Sequence, residues 1–311
     1  MKKLKVVFMG TPEFSLNVLK MLIEETEVVG VVTKPDAPVG RKKVLTESPV
    51  AALAREHNIK TFKPVKLRNE YESILNLHPD IIITCAYGQI VPKQVLDYPE
   101  YGCINVHASI LPKYRGASPI TEAIINGDTE TGVTIMYMEE SLDTGNIIHS
   151  KAIPIEDNDT LGTLSDKLSI LGADLLKAVL PKIAEGENFN IPQRDEDATY
   201  VTKLTREDET LDFNKTCKQV YDYIRALNPH PLANILIDGE EWKVIESRKT
   251  ERKASAPGTI SSVGKDYFAI SCSDYELEIT KIKPAGKKEM LVRDFFNGYQ
   301  KDKLLNKKVG E

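Results

Sequence analysis

Lys5-Val6-Val7-Phe8-Met9-Gly10-Thr11-Pro12 sets the architecture of the first half of the chain. Its apolar residues run on without polar alternation, as in a strand buried on both faces. Gly10 then turns the chain, Thr11 is placed to cap a helix, and Pro12 suits the first helical position. The rhythm recurs. Residues 27–33 read as the next strand, Ser48-Pro49 starts another helix, 59–62 is a short strand and 69–77 a helix. Residues 80–86 give a further buried strand, Val91-Pro92 opens a short helix, and 102–107 is a strand with polar residues intruding at its end. Strands alternating with helices predict an α/β fold, a Rossmann-like, doubly wound, mostly parallel sheet. Ligands of such sheets bind beyond the carboxyl ends of the strands. The turn Gly10-Thr11-Pro12-Glu13-Phe14 matches neither the dinucleotide fingerprint nor the P-loop, so neither ligand is expected there.

Chemistry concentrates further on. In residues 102–107, Asn105 and His107 stand two apart and share a face of the strand. An amide donor beside an imidazole can hold a developing oxyanion and move a proton. Asp143 follows a second strand-like run, 132–137, where a carboxylate could orient His107. Taken singly, a histidine in a strand is more often a packed, hydrogen-bonded residue, and an aspartate before Thr-Gly more often forms a turn.

Residues 160–186 predict a long helix, with Leu161, Leu164, Leu168, Leu171, Leu175 and Val179 on a core-facing stripe. Residues 188–205 read as a polar linker, and a short helix at 215–226 opens a second unit. After Asn228-Pro229-His230-Pro231 the pattern turns to five short strands, at 234–239, 242–246, 259–263, 267–272 and 276–282. They suit a small OB-like β-barrel. The expected domains are 1–187 and 206–311, joined by the linker.

At 311 residues, 41% hydrophobic and 28% charged, the composition is that of an ordinary globular two-domain protein. The net charge of −5 is unevenly spread. Residues 206–311 hold 19 Lys+Arg against 18 Asp+Glu, net +1, and the rest holds 22 against 28, net −6. Cys85, Cys103, Cys217 and Cys272 lack metal-ligand spacing and suggest no disulfide, which fits a reducing cytoplasm. No metal is expected. No segment has the roughly 18 apolar residues of a membrane span, and no membrane association is expected. His57, His78, His149 and His230 show no partner pattern.

Asn105-x-His107-x-Ser109-x-Leu111-Pro112-x-x-Arg115-Gly116, followed by Leu142-Asp143-x-Gly145, resembles the catalytic signature of the folate-dependent formyltransferases. The stretches 8–14 (FMGTPEF), 33–41 (TKPDAPVGR), 86–92 (AYGQIVP), Asn228-Pro229 and 284–288 (PAGKK) are similar to the methionyl-tRNA formyltransferases. That resemblance spans essentially the whole chain. It implies transfer of the formyl group of 10-formyltetrahydrofolate to the amino group of methionyl initiator tRNA, with Asn105, His107 and Asp143 as catalytic residues. It also implies a folate site beside Ser109, Ile110, Leu111 and Pro112. The pterin would lie near Tyr87, Gly88, Gln89, Ile90 and Val91, and near Glu139 to Asp143. The basic stretch 34–43 would be a tRNA loop, with Arg41 in contact and Lys42 and Lys43 beside it. As a sequence pattern alone, that stretch is a solvated surface loop.

Lys281, Lys283, Lys287 and Lys288 form a second basic cluster with no acid among them, suited to phosphate contacts that position without reading bases. Arg115 could serve folate or structure. Ile110 stands where the family usually has Leu, and Lys42-Lys43 extends the basic loop. A monomer acting in the cytoplasm is expected. A formyltransferase for a small amine, such as a sugar nucleotide, or a hydrolase of the folate donor would share the three catalytic residues. Neither needs the basic loop or the C-terminal barrel. An RNA-binding protein without catalysis leaves Asn105, His107 and Asp143 unexplained.

Overall fold

The computed structural model describes residues 3–40, 42–187 and 189–310. Its first strands are β1 (Lys5–Gly10), β2 (Glu27–Val32), β3 (Ala37–Val39), β4 (Val44–Thr46), β5 (Thr61–Phe62) and β6 (Ile81–Cys85). They are followed by β7 (Cys103–His107), β8 (Arg115–Gly116), β9 (Glu130–Tyr137), β10 (Ile147–Pro154) and β11 (Tyr200–Val201). The last six are β12 (Ala233–Ile237), β13 (Glu240–Lys253), β14 (Ile260–Val263), β15 (Phe268–Ser271), β16 (Tyr275–Lys283) and β17 (Met290–Leu291). Two units result. One holds the residues up to Pro119 with Glu130–Pro154 and Ser165–Val201; the other holds Ile120–Thr129, Ile155–Leu164 and the chain from Thr202 onward.

The first unit is built on a seven-stranded sheet in the order β10-β9-β7-β6-β1-β2-β5. The ladders from β5 through β7 are parallel, whereas β9 lies antiparallel to β7 and β10 antiparallel to β9. The chain winds outward from β1 to β5 and returns to β6 on the other side of β1. In such sheets ligands bind at this kind of reversal, beyond the carboxyl ends of the strands, here β1 and β6. Val6, Val7, Phe8 and Met9 are fully buried, as their unbroken apolar run requires. Each such side chain contributes about 1.5–3 kcal/mol relative to exposure.

Alternation along the strands sorts the two faces. Val7, Met9, Ile82 and Cys103 join Leu67, Ile74, Tyr87, Val91 and Val95 in one core cluster. Val106 points the other way, against the long helix Leu161–Ala184, where a Cβ on Gly172 would lie 2.8 Å from Val106 Cγ1. Only a glycine lets helix and sheet approach so closely.

Three local expectations change. Thr11 does not cap the first helix: its hydroxyl donates to the Tyr87 carbonyl at 3.1 Å, and a 3-10 turn, Glu13–Ser15, leads into the helix Leu16–Glu25. The helix expected at 69–77 breaks at Tyr71 into Leu67–Glu70 and Glu72–Leu75. The basic stretch near residue 40 is a β-hairpin, with β3 paired antiparallel to β4.

In the second unit the strands pair antiparallel in the order β12-β13-β16-β15-β14, with β17 beside β16. The strand expected at 242–246 belongs to the much longer β13. Among the described residues no ladder joins β14 to β12. The core beneath these strands includes Phe213, Ile224, Trp242, Val244, Phe268, Ile279 and Phe295. The helix Cys217–Ala226 starts at a capping box formed by Thr216 and Gln219, which satisfies its first free N–H groups. All four cysteines are free and buried. Burial pushes the Cys85 and Cys103 thiols up to about 12. Among the described residues no helix is long and apolar enough to cross a membrane, and no three His, Cys, Asp or Glu side chains are grouped to hold a metal ion.

Candidate active site

Asn105 and His107 lie at the carboxyl end of β7, on the same face as Cys103. Thr84 is the residue paired with Asn105 across the β6–β7 ladder. Its buried hydroxyl donates to Asn105 Oδ1 at 2.8 Å. With its oxygen so held, the amide has its NH2 group to offer an incoming oxygen. Sequence reasoning missed Thr84, although it is the one hydroxyl in the apolar run Ile81-Ile82-Ile83-Thr84-Cys85.

His107 is 5% exposed. Its Nε2 donates to the Tyr114 carbonyl at 2.9 Å. A carbonyl can only accept, so Nε2 carries a proton and Nδ1 is the nitrogen whose proton content can change. Nδ1 lies 3.7 Å from Asp143 Oδ2. Asp143 sits between β9 and β10 at a φ of 53°, a left-handed turn position that Asp tolerates better than most residues. Its Oδ2 accepts a 2.8 Å hydrogen bond from the Gly116 N–H. Asn105, His107 and Asp143 are thus brought together from two separate stretches of chain.

The glycines of the motif have steric reasons. A Cβ on Gly145 would stand 1.9 Å from the Tyr137 carbonyl oxygen. Gly116 has a φ of 119°, and a Cβ there would stand 2.2 Å from the Val201 carbonyl oxygen.

The other expected ligand residues are placed variously. Ser109, Ile110, Leu111 and Pro112 form a pinned turn after β7: Ser109 Oγ donates to the Lys113 carbonyl at 2.6 Å, and Leu111 N–H donates to Thr134 Oγ1 at 3.1 Å. The Leu111–Pro112 peptide is cis. Of the stretch after β6, Tyr87 and Val91 face the core cluster, and the Tyr87 hydroxyl is buried with no hydrogen-bond partner among the described residues. Burial raises the Tyr87 phenol above its ordinary value, with the Glu70 carboxylate adding to the effect. The Gln89 side chain staples Leu67 N–H and the Pro64 carbonyl, each at 3.0 Å. Gly88 and Ile90 are exposed, as is Glu139. Along this stretch Gly88 and Ile90 face solvent, whereas the Tyr87 ring is buried.

Arg115, left open between folate and structure, is wholly engaged by protein. It is 1% exposed and donates to Gln193 Oε1 at 3.0 Å, the Tyr200 hydroxyl at 2.8 Å and Asp195 Oδ1 at 2.9 Å. It fastens the segment 193–201, where β11 pairs in parallel with β8.

Of the expected tRNA contacts, Lys42 and Lys43 are exposed between β3 and β4, and Arg41 lies outside the described residues. Lys283, Lys287 and Lys288 are exposed around the end of β16. The cluster is not free of acid in space, because Lys281 Nζ lies 3.6 Å from carboxylate oxygens of both Glu246 and Glu289. Glu246 is its partner across the β13–β16 ladder, a neighbour that linear spacing does not reveal.

A family model for formyl transferases matches residues 2–180, and one for the formyl transferase C-terminal domain matches residues 203–300. A methionyl-tRNA formyltransferase of Staphylococcus epidermidis is 48% identical over 299 residues, covering 95% of this chain and 96% of the relative. That of Staphylococcus aureus is 47% identical over 309 residues, covering 98% and 99%. Among solved structures, an N-formyltransferase from Helicobacter canadensis, crystallised with folinic acid and dTDP-3-aminofucose, superposes with a TM-score of 0.67. It is 23% identical, over 90% of this chain and 99% of its own.

Proposed function

The chain belongs to the formyl transferase family, and from that premise we infer that it moves the formyl group of 10-formyltetrahydrofolate onto the free amino group of methionyl initiator tRNA. The product is N-formylmethionyl-tRNA. The observation that carries the reading is the grouping of the Asn105 amide, the His107 imidazole and the Asp143 carboxylate at the end of β7. It stands in a chain whose identity to methionyl-tRNA formyltransferases continues through the C-terminal unit.

The neutral amine attacks the formyl carbon, a C–N bond forms, and the carbonyl oxygen takes up negative charge. Asn105 Nδ2 donates to that oxygen. The amine then gives up a proton, the folate N10 gains one, and the bond between N10 and the formyl carbon breaks. His107 Nδ1, backed by Asp143, is the group that moves the proton. A preorganised donor aimed at an oxyanion is worth about 10²–10³ in rate. The folate is assigned to the turn Ser109–Ile110–Leu111–Pro112, the main chain of residues 87–91, Ile90, and the loop from Glu139 to Asp143. Chemistry is assigned to residues 1–187 and RNA docking to 206–311. The connecting 188–205 supplies Gln193, Asp195 and Tyr200 to the frame around Arg115. Lys42, Lys43, Lys281, Lys283, Lys287 and Lys288, with Arg41, are assigned to tRNA phosphates. The protein acts as a monomer in the cytoplasm, a setting that four free thiols suit.

The test offers labelled formyl donor with three acceptors: methionyl initiator tRNA, a free amino sugar nucleotide, and water. Label on the tRNA at a rate far above the other two is the expected result. Comparable label on the amino sugar would return the chain to the small-amine branch, and free formate alone would make it a hydrolase.

A further inference from the structure

Asp143 is held by more than the Gly116 N–H. The Gln193 side chain donates through Nε2 to two carbonyls of the Asp143 turn, those of Asp143 itself and of Gly145, both at 2.8 Å. Its Oε1 accepts from Arg115 Nε at 3.0 Å. Both amide protons and the amide oxygen are therefore used, and only an amide of this length supplies two donors on one side and an acceptor on the other. Arg115 is buried and has two further partners, Tyr200 and Asp195, so the acceptor end of Gln193 is fixed. The dipeptide Arg115-Gly116 thus acts twice on the same turn, through Gln193 on its backbone and through the Gly116 N–H on its carboxylate.

We propose that Gln193 is a positioning residue for the formyl transfer, holding the left-handed turn that sets Asp143 3.7 Å from His107 Nδ1. It comes from a polar stretch whose composition marks only a linker. The inference rests on Asp143 being the group that backs His107. Without Gln193 the carbonyls of Asp143 and Gly145 lose their donor, and the turn is free to rotate the carboxylate away from the ring. A displacement of about 1 Å at a reacting group costs on the order of 10²-fold in rate.

The experiment compares single-turnover formyl transfer to methionyl initiator tRNA by the full-length chain and its Gln193→Ala, Gln193→Glu, Asp143→Ala and Gln193→Ala/Asp143→Ala variants. Gln193→Ala is expected to lower the transfer rate by about 10–100-fold. KM for tRNA should stay within about twofold. Gln193→Glu keeps the partner of Arg115 but turns a carboxylate oxygen toward two carbonyls. It should therefore lose rate like Gln193→Ala while Arg115 keeps its partner, so a loss shared by the two variants comes from the released carbonyls and not from an unpaired Arg115. In the Asp143→Ala background Gln193→Ala should cost nothing further, since a residue that acts only through another is not additive with it. Equal fold-losses in both backgrounds, or wild-type rates for Gln193→Ala and Gln193→Glu, would overturn the proposal. Wild-type transfer by Asp143→Ala would instead remove the underlying reading of Asp143.

Discussion

At the scale of single residues, the site works by removing choices. Thr84 anchors the Asn105 amide, and the Tyr114 carbonyl fixes which nitrogen of His107 is protonated. Neither partner need touch the substrate. Thr84→Val keeps the shape and removes the hydroxyl, so Asn105 can rotate. We expect kcat to fall about tenfold and folding stability to fall by about 0.5–1.5 kcal/mol, the net contribution of one hydrogen bond. Steady-state rates with saturating folate measure it, and an unaltered kcat would leave Asn105 oriented by other means. Gly116→Ala tests geometry at a different point. Its Cβ would meet the Val201 carbonyl oxygen at 2.2 Å in a backbone conformation that suits only glycine. A loss of roughly 2–4 kcal/mol in urea unfolding is expected, together with lost turnover, because the same residue donates to Asp143.

Pairing between elements brings together residues far apart in the chain. In the second unit, strand pairing puts Arg252 against Glu276, with Nε and Oε2 at 2.7 Å. Burial alone would raise the Glu276 carboxyl, but hydrogen bonds from Arg252, Ser261 and Ser262 outweigh it and hold the group below its ordinary 4.5. A depressed carboxyl gives stability that is present above its unfolded value and lost as pH falls through the folded one. The melting-temperature gap between wild type and Arg252→Met is therefore expected to be full at pH 7 and to close as pH drops below about 4.5; a constant gap would contradict it. The buried strands β1, β6 and β7 and the long helix were legible because unbroken apolar runs and a Leu stripe have few other fates. Asn105 and His107 were legible as a pair through alternation. Residues 193–201 were not: β8 and β11 are two-residue strands with no periodicity, and the value of Gln193 and Tyr200 arises only when Arg115 arrives from far along the chain. The hairpin at β3 and β4 hid behind Pro35 and Pro38, and Glu246, one of the two carboxylates near Lys281, comes from the neighbouring strand β13, whereas Glu289 directly follows Lys288.

For the whole molecule, an acidic chain of net charge −5 must dock a polyanion through local basic patches. Lys287→Ala/Lys288→Ala is expected to weaken tRNA binding and to make its salt dependence shallower by about one to two counterions, while kcat at saturating tRNA stays put. Filter binding across a salt series checks this, and an unchanged slope would move the phosphate contacts elsewhere. Arg41→Leu should lower kcat/KM with tRNA and leave folate affinity alone, a split that rapid-quench kinetics and folate titration resolve together. Rapid-quench single-turnover transfer by His107→Ala and Asp143→Ala measures whether Asn105, His107 and Asp143 carry formyl transfer to methionyl initiator tRNA. Each variant is expected to slow formation of labelled N-formylmethionyl-tRNA by roughly 10²–10⁴-fold, with folding retained in both and folate binding retained in His107→Ala. Transfer at near wild-type rate by either variant would contradict that role.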